Sequence, residues 1–186
     1  MVWIILAIIV IVVIAIILIY NGLVSARIKV DNAWSQIDVQ LQRRFDLIPN
    51  FVETVKGYAA HESETFEEIT KLRTSWANAG TIVEKAELDN QLSGALKTIM
   101  AVSENYPDLK ANQNFSELSV ELRNTENKIS FSRQFYNYSV TMYNQKLQLF
   151  PSNIIAGMFN FTPRELFAVE NAEVRKNVKV DFGKNA

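Results

Sequence analysis

The stretch "FSELSVELRNTENKISFSRQFYNYSVTMYNQKLQLF" (residues 115–150) decides the fold, because an apolar or aromatic residue recurs at every seventh position. This series comprises Phe115, Leu122, Ile129, Tyr136, Tyr143 and Phe150, and its companion positions are Leu118, Thr125, Ser132, Val140 and Leu147. One amphipathic helix cannot bury its own stripe, so the period predicts packing against partner helices in a bundle or coiled coil. We predict a helix over residues 112–150, ending before Pro151.

A second stripe of the same period lies in the first third of the chain. Its two series are Trp34, Leu41, Ile48 and Val55, and Ile37, Arg44, Phe51 and Tyr58. Proline normally breaks or bends a helix, but the register here is unchanged on both sides of Pro49. We therefore predict one continuous helix over residues 21–60 that bends at Pro49.

Two shorter helices fill the interval between these stripes. Thr65 and Glu68 have the spacing of a capping box, and Gly80 suits a helix stop. A third helix is predicted over residues 82–105, followed by a turn at residues 106–110 that contains a proline. The predicted fold is all-α, with an N-terminal transmembrane helix and an antiparallel bundle of about four helices, two of them long.

The transmembrane prediction comes from "VWIILAIIVIVVIAIILIY" (residues 2–20), which contains no charged residue, glycine or proline. A helix of about 20 apolar residues spans a bilayer, and Trp3 and Tyr20 bracket this one as interfacial anchors do. The alternative is a cleaved signal peptide, because "VSA" at residues 24–26 resembles a cleavage site. Such peptides have a basic start and an apolar run of about 7–15 residues, so an uncleaved anchor is favoured.

The charges that flank the span predict its orientation. Arg27, Lys29, Arg43 and Arg44 follow it and no charged side chain precedes it, which places the C-terminal domain in the cytoplasm. We divide the chain into an anchor (residues 1–20), a helical bundle (residues 21–150) and a tail (residues 151–186). The tail is expected to pack on the membrane-proximal end of the bundle, and contact of its apolar part with lipid is left open.

The composition narrows the possible chemistry. The 19 Lys and Arg nearly balance the 20 Asp and Glu, which argues against nucleic-acid binding. The chain has no cysteine, and its one histidine, His61, lacks the second histidine of an H-E-x-x-H zinc site. Phosphate-binding loops and nucleophile elbows are also missing from the sequence. We therefore predict no catalytic, cofactor-binding or metal-binding residue, and a protein that is not an enzyme.

Polar residues inside the apolar stripes form the candidate site. Arg44 occupies a core-type position, and Glu126 and Arg133 lie one heptad apart beside the seam of the last long helix. A lone buried charge costs several kcal/mol, so we predict an interhelical network that pairs Arg44 with Glu126 and fixes helix register. The predicted structural network comprises Arg44, Glu126, Arg133, Asn137 and Asn144. A ligand site, a partner site or a catalytic role for the same residues remains an alternative.

Several long motifs resemble those of the LemA family. They are "AWSQIDVQLQRRFDLIPNFVETVKGYAAHE" (residues 33–62), "YPDLKANQNFSEL" (residues 106–118), "TENKI" (residues 125–129) and the twin "YN" at Tyr136 and Tyr143. The "YNGLV" that follows the span (residues 20–24) is similar as well. The resemblance implies a membrane-anchored helical bundle of the bacterial inner (cytoplasmic) membrane, and it implies no enzymatic activity or cofactor.

The expected function is that of a non-enzymatic, membrane-anchored scaffold or interaction protein that self-assembles. The alternative is an adaptor or regulatory subunit of a membrane protease or of envelope-stress machinery. The expected partners are the lipid bilayer, further copies of the chain and another membrane protein. Association of membrane helices favours small residues, and the span has only Ala7 and Ala15, so a homo-oligomer is expected to form through the soluble bundle or the tail.

Overall fold

The computed structural model describes residues 1–59 and 63–167, and every regular element in these ranges is a helix. The helices are α1 (Val2–Lys56), α2 (Ser63–Asn78), α3 (Ile82–Ser103), α4 (Pro107–Ala111), α5 (Gln113–Gln148) and α6 (Ser152–Met158). The two long helices, α1 and α5, have 55 and 36 residues. The predicted all-α fold, with an apolar N-terminal helix and two long bundle helices, is confirmed.

Helix α1 combines the apolar N-terminal segment and the first bundle helix without a break. Its residues 2–15 are exposed, and by length and composition α1 is long and apolar enough to cross a bilayer. The buried residues that follow come mostly at helical spacing and include Val30, Ile37, Leu41, Ile48, Phe51 and Val55. The helix continues through Pro49 with burial on both sides, while the bend there remains a prediction. It ends at Lys56, earlier than the predicted residue 60.

Helices α1 and α5 are antiparallel and form the centre of the fold. The rings of Trp34 and Tyr136 lie 5.8 Å apart, and those of Phe51 and Phe115 lie 5.6 Å apart. Residue numbers therefore rise along α1 as they fall along α5. Tyr136 is fully buried in this contact, because its position on the heptad stripe faces α1.

Helices α2 and α3 complete the bundle on one side of α1. Trp76 of α2 stacks on Phe45 at 4.5 Å between ring centroids. Near the start of α3, Lys85 forms an ion pair with Asp38 at 2.6 Å, and later residues of α3 contact later residues of α1. Helix α3 thus runs in the same direction as α1, and α5 runs in the opposite direction.

The capping box lies at a different helix from the predicted one. Helix α2 begins at Ser63, so Thr65 lies inside its first turn and the predicted cap at Thr65 is wrong. The box in the structure opens α3, where the Thr81 hydroxyl accepts from the Glu84 amide and the Glu84 carboxylate accepts from the Thr81 amide. Backbone donation from Thr81, and then from Gly80, holds the pKa of Glu84 below its ordinary value. Both threonines precede a glutamate by three residues, so the motif alone cannot choose between them.

Two further helix ends and one turn differ from the prediction. Helix α5 ends at Gln148, and Phe150 is 79% exposed, so this last member of the heptad series lies outside the core. The reason is that Pro151 disfavours helical backbone in the residue before it. Helix α3 ends at Ser103, before the predicted residue 105, and the predicted turn contains α4, whose first residue is Pro107.

Helix α6 packs against the membrane-proximal part of α1. Ile155 and Ala156 form a small buried cluster with Leu23, and Ile16 and Ile19 pack on its edge. Because α1 crosses residue 20 without interruption, this contact joins the apolar segment to the C-terminal part of the chain. The division into an anchor, a bundle and a tail stays a prediction.

Candidate functional site

A cluster of four charged side chains lies between α1, α3 and α5, and we call Arg44, Asp89, Glu126 and Arg133 the ion cluster. Arg44 is at its centre and is only 3% exposed. Its Nη1 lies 2.7 Å from Asp89 Oδ1 and 2.6 Å from Glu126 Oε2. The same nitrogen donates to the Ser93 hydroxyl at 3.0 Å, and this hydroxyl donates to Glu126 at 3.2 Å. Three helices are thereby joined at one guanidinium group.

Asp89 is the member of the ion cluster that the sequence reasoning missed. It is 1% exposed, and Arg133 Nη1 lies 4.0 Å from its Oδ2. A signal was present, since Asp89 lies three residues after Ala86 and three before Leu92 on the buried stripe of α3. A charge at such a position requires an opposite charge, and with Asp89 included the two cations of the cluster match its two anions.

Burial sets the electrostatics of the ion cluster. It raises the pKa of Asp89, with Arg44 acting in the opposite direction and Glu126 adding to the rise. It also lowers the pKa of Arg133, against the attraction of Asp89. Because the pKa of Asp89 is raised on folding, the contribution of this carboxyl to stability becomes more favourable as the pH falls toward its ordinary pKa and less favourable as the pH rises.

A cleft of about 310 Å³ opens beside the ion cluster between α3 and α5. Its walls are largely apolar and include Leu96, Met100 and Leu122. Glu126 is the half-exposed member of the cluster on this side, with 41% of its side chain exposed. Of the four charged residues that line the cleft, Arg44 and Glu126 pair with each other, and the other two are the basic residues Lys97 and Arg123.

Asn137 and Asn144 do not join the ion cluster among the described residues, although both were grouped with it in the prediction. Each asparagine instead binds the backbone of the chain that follows α6. The Asn144 amide donates to the carbonyl of Arg164 at 2.8 Å and accepts from its N–H at 2.9 Å. Asn137 does the same with Phe167, at 3.1 and 2.8 Å. We call residues 162–167 the strap.

Two tyrosines beside these asparagines bind the strap in the same manner. Tyr143 donates to the carbonyl of Thr162 at 3.0 Å, and Tyr136 donates to that of Glu165 at 2.8 Å. Seven residues of helix rise about 10.5 Å, which is close to the length of about three extended residues. Side chains seven residues apart on α5 therefore reach backbone groups three residues apart on the strap. Burial raises the pKa of both phenols, which are protonated donors at neutral pH even at the ordinary pKa of tyrosine. The twin "YN" motif, at residues 136–137 and 143–144, therefore binds the backbone of the strap. We call these four residues the track.

The strap and the ion cluster meet at Phe167. This side chain is 1% exposed, and its ring lies 6.2 Å from that of Trp34. The Arg133 guanidinium lies over the same ring, 4.7 Å from its centroid, in a cation–π contact. Asn137 thus binds the backbone of Phe167, and Arg133 contacts its ring. The ion cluster and the residues that bind the strap are therefore neighbours that share no hydrogen bond among those described.

Asn137→Ala is expected to loosen the end of the strap. The change leaves the N–H and C=O of Phe167 without their partner, at a cost of about 1–3 kcal/mol. Hydrogen exchange of the peptide that covers the strap should therefore accelerate in the full-length protein. The matched control is Asn127→Ala, an exposed asparagine on the same helix. Equal exchange rates in Asn137→Ala and the unaltered protein would contradict the track.

The remaining predicted residues lie as follows. Trp3 is 84% exposed near the start of α1, and Tyr20 contacts Phe159 and Phe161 with ring centroids 4.8 and 5.8 Å away. Arg43 is half-exposed and forms an ion pair with Glu121 at 2.5 Å. His61 lies outside the described residues, and within residues 1–59 and 63–167 no three potential metal ligands form a group.

An apolar helix that continues directly into a bundle with a buried ion cluster is an arrangement compatible with a membrane-anchored helical protein. The LemA family model matches residues 33–182, which include all four members of the ion cluster. The chain belongs to the LemA family. The sequence-based identification of the family is thus confirmed.

Comparison with known proteins gives relatives of two kinds. The Protein LemA of Metamycoplasma hominis is 28% identical over 156 residues, which cover 82% of this chain and 70% of the relative. Magnetosome protein MamQ 2 of Paramagnetospirillum magneticum is 27% identical, and MamQ of Magnetospirillum gryphiswaldense is 26% identical. Each of these matches covers 80% of this chain and 64% of the magnetosome protein, so the similarity spans just under two thirds of those relatives.

Proposed function

We propose that this protein is a non-enzymatic scaffold of the bacterial inner membrane that assembles with further copies of itself. The observation that carries the proposal is the continuity of α1, whose apolar start and buried bundle positions belong to one helix. Such a helix holds the bundle at a fixed place on the membrane, since no flexible linker separates the two parts. The ion cluster supports a structural role, because its charges are engaged with one another across helices.

Self-assembly is supported by a second stripe on α5, on the side away from the strap. Phe131, Phe135, Tyr138 and Met142 are 74, 46, 64 and 40% exposed. Their spacings of four, three and four residues are those of a coiled-coil seam. Positions beside the seam are mostly uncharged, among them Gln134 and Thr141, so two identical seams meet with little like-charge repulsion. Copies anchored in one membrane have the same orientation, which suits a parallel pair.

Single cysteines test this seam, since the chain contains no native cysteine. In native membranes under mild oxidation, Tyr138→Cys is expected to form a disulfide-linked dimer, because like positions of a parallel seam face each other. The matched control is Ser130→Cys, an exposed and nearly isosteric change on another face of α5. The measurement is the fraction of chain at twice the monomer mass on a non-reducing gel.

Purification of the chain from native membranes, with its partners still bound, tests the alternative function as an adaptor. A complex that contains one copy of the chain and a second membrane protein, with no dimer from Tyr138→Cys, would replace the scaffold by the adaptor or regulatory subunit. A dimer that formed equally from Ser130→Cys would argue against the seam but leave self-assembly in place.

We also propose that the bundle lies in the cytoplasm, as the basic residues after the apolar segment predict. Gly80→Cys tests this orientation, because a Cβ at Gly80 would meet no atom within 4 Å and the residue is exposed. A membrane-impermeant thiol reagent is expected to label it only after the cells are permeabilised. Labelling in intact cells would put the bundle on the outer side.

A further inference from the structure

A patch of large apolar side chains surrounds α6 and is exposed to solvent. Its members are Leu149, Phe150, Ile154, Met158 and Phe159, with exposures of 53, 79, 52, 65 and 51%. Ile154 and Met158 are four residues apart and so share one face of α6. The other face packs on α1 through Ile155 and Ala156. Exposed apolar clusters of this kind mark sites that bind another apolar surface.

The position of the patch identifies that surface. The buried side of α6 packs at Leu23, with Ile16 and Ile19 at its edge, and Tyr20 contacts Phe159 at 4.8 Å. Residues 16, 19 and 20 belong to the end of the apolar segment predicted to span the bilayer. With that segment inserted, the patch lies at the level where headgroups meet acyl chains. It is therefore continuous with the membrane-spanning surface of α1.

The charge pattern around the patch fits the same location. No charged residue occurs between Lys146 and Arg164, which leaves an uncharged stretch of 17 residues, 147–163. Burying a charge in the bilayer is costly, whereas long basic side chains at its border extend toward the headgroups. Lys146 precedes the stretch and Arg164, which pairs with Asp31 at 3.1 Å, follows it, while Arg27 and Lys29 follow the span on α1. An uncharged apolar element with basic borders suits an anionic leaflet.

We propose that residues 149–159 form a second membrane contact, in which the exposed face of α6 inserts into the interfacial region of the same leaflet that α1 enters. The partner is the phospholipid bilayer itself. The inference rests on the bilayer insertion of residues 2–20 that the proposed function requires. Two contacts on one leaflet restrict the tilt of the bundle, because α6 and α1 meet the membrane at different points.

The test uses the full chain reconstituted into vesicles of phosphatidylcholine and phosphatidylglycerol. A single cysteine at Ile154, Ile11 or Gly80 carries an environment-sensitive fluorophore, and some lipids carry a nitroxide on the acyl chain. All three residues are exposed, so the labels do not disturb the core. We expect blue-shifted emission and nitroxide quenching for Ile154→Cys and Ile11→Cys, and neither for Gly80→Cys.

The label at Ile11 separates the inference from its premise. Quenching at Ile11 without quenching at Ile154 would overturn the second contact while the span remained inserted. Absence of quenching at both positions would overturn the anchor and the second contact together. Met158→Cys repeats the measurement on the same face of α6, and an unquenched label there would also contradict the insertion.

Discussion

Arg44→Ala is expected to destabilise the bundle by about 3–5 kcal/mol, because it leaves Asp89 buried without its closest cation. Asp89 is 1% exposed and cannot turn to water, and Arg133 is 4.0 Å from its other oxygen. Urea-induced unfolding of the full chain in detergent, followed by circular dichroism, measures the change. The loss should appear as a lower midpoint with an unchanged slope.

Arg43→Ala is the matched control for this substitution. Arg43 is adjacent in sequence but is 51% exposed, and its partner Glu121 is also partly exposed, so its loss should cost about 0–1 kcal/mol. The double change Arg44→Met with Asp89→Leu should recover much of the stability, since paired buried charges can be replaced by apolar side chains. An unfolding midpoint of Arg44→Ala equal to that of the unaltered protein would remove the structural role of the ion cluster.

Tyr136→Ala is expected to cost about 3–5 kcal/mol, as removal of a buried aromatic side chain does. The residue is fully buried, packs on Trp34 and donates to the carbonyl of Glu165 in the strap. The substitution therefore opens a cavity between α1 and α5 and removes one bond of the track. The same unfolding measurement applies, combined with hydrogen exchange of the strap.

Two controls separate packing from hydrogen bonding at this position. Tyr136→Phe retains the ring and loses only the donor, so we expect a cost of about 1 kcal/mol and faster exchange in the strap. Tyr138→Ala removes an aromatic ring that is 64% exposed on the same helix and should change monomer stability by about 0.5 kcal/mol or less. Similar losses of stability for Tyr136→Ala and Tyr138→Ala would show that burial between α1 and α5 does not determine the stability of the bundle.

Most of the fold could be predicted because heptad periodicity reports directly on burial. Leu122, Ile129 and Tyr143 were placed in the core from spacing alone, and each is buried. The errors occur at helix ends, at Thr65 and Phe150, where the stripe no longer constrains the chain and local capping or a proline decides. The sequence period describes the middle of a helix better than its termini.

The candidate site was less predictable because its partners lie far apart in the chain. Arg44 was recognised as a charge in a core position, but many carboxylates could have satisfied it. Asp89 was overlooked because α3 has a weaker stripe, and a single buried aspartate there resembles an exposed one in sequence. The strap was missed altogether, since backbone groups at Thr162 and Phe167 leave no side-chain signal.

The sequence by itself determined the helical class, the apolar segment, the family and the antiparallel pairing of the two long helices. These depend on patterns that repeat along the chain, and repeated burial is energetically dominant. Only the tertiary structure decided that Asp89 completes the ion cluster and that the twin "YN" motif binds the strap. Those contacts join residues brought together by folding, so no local pattern specifies them.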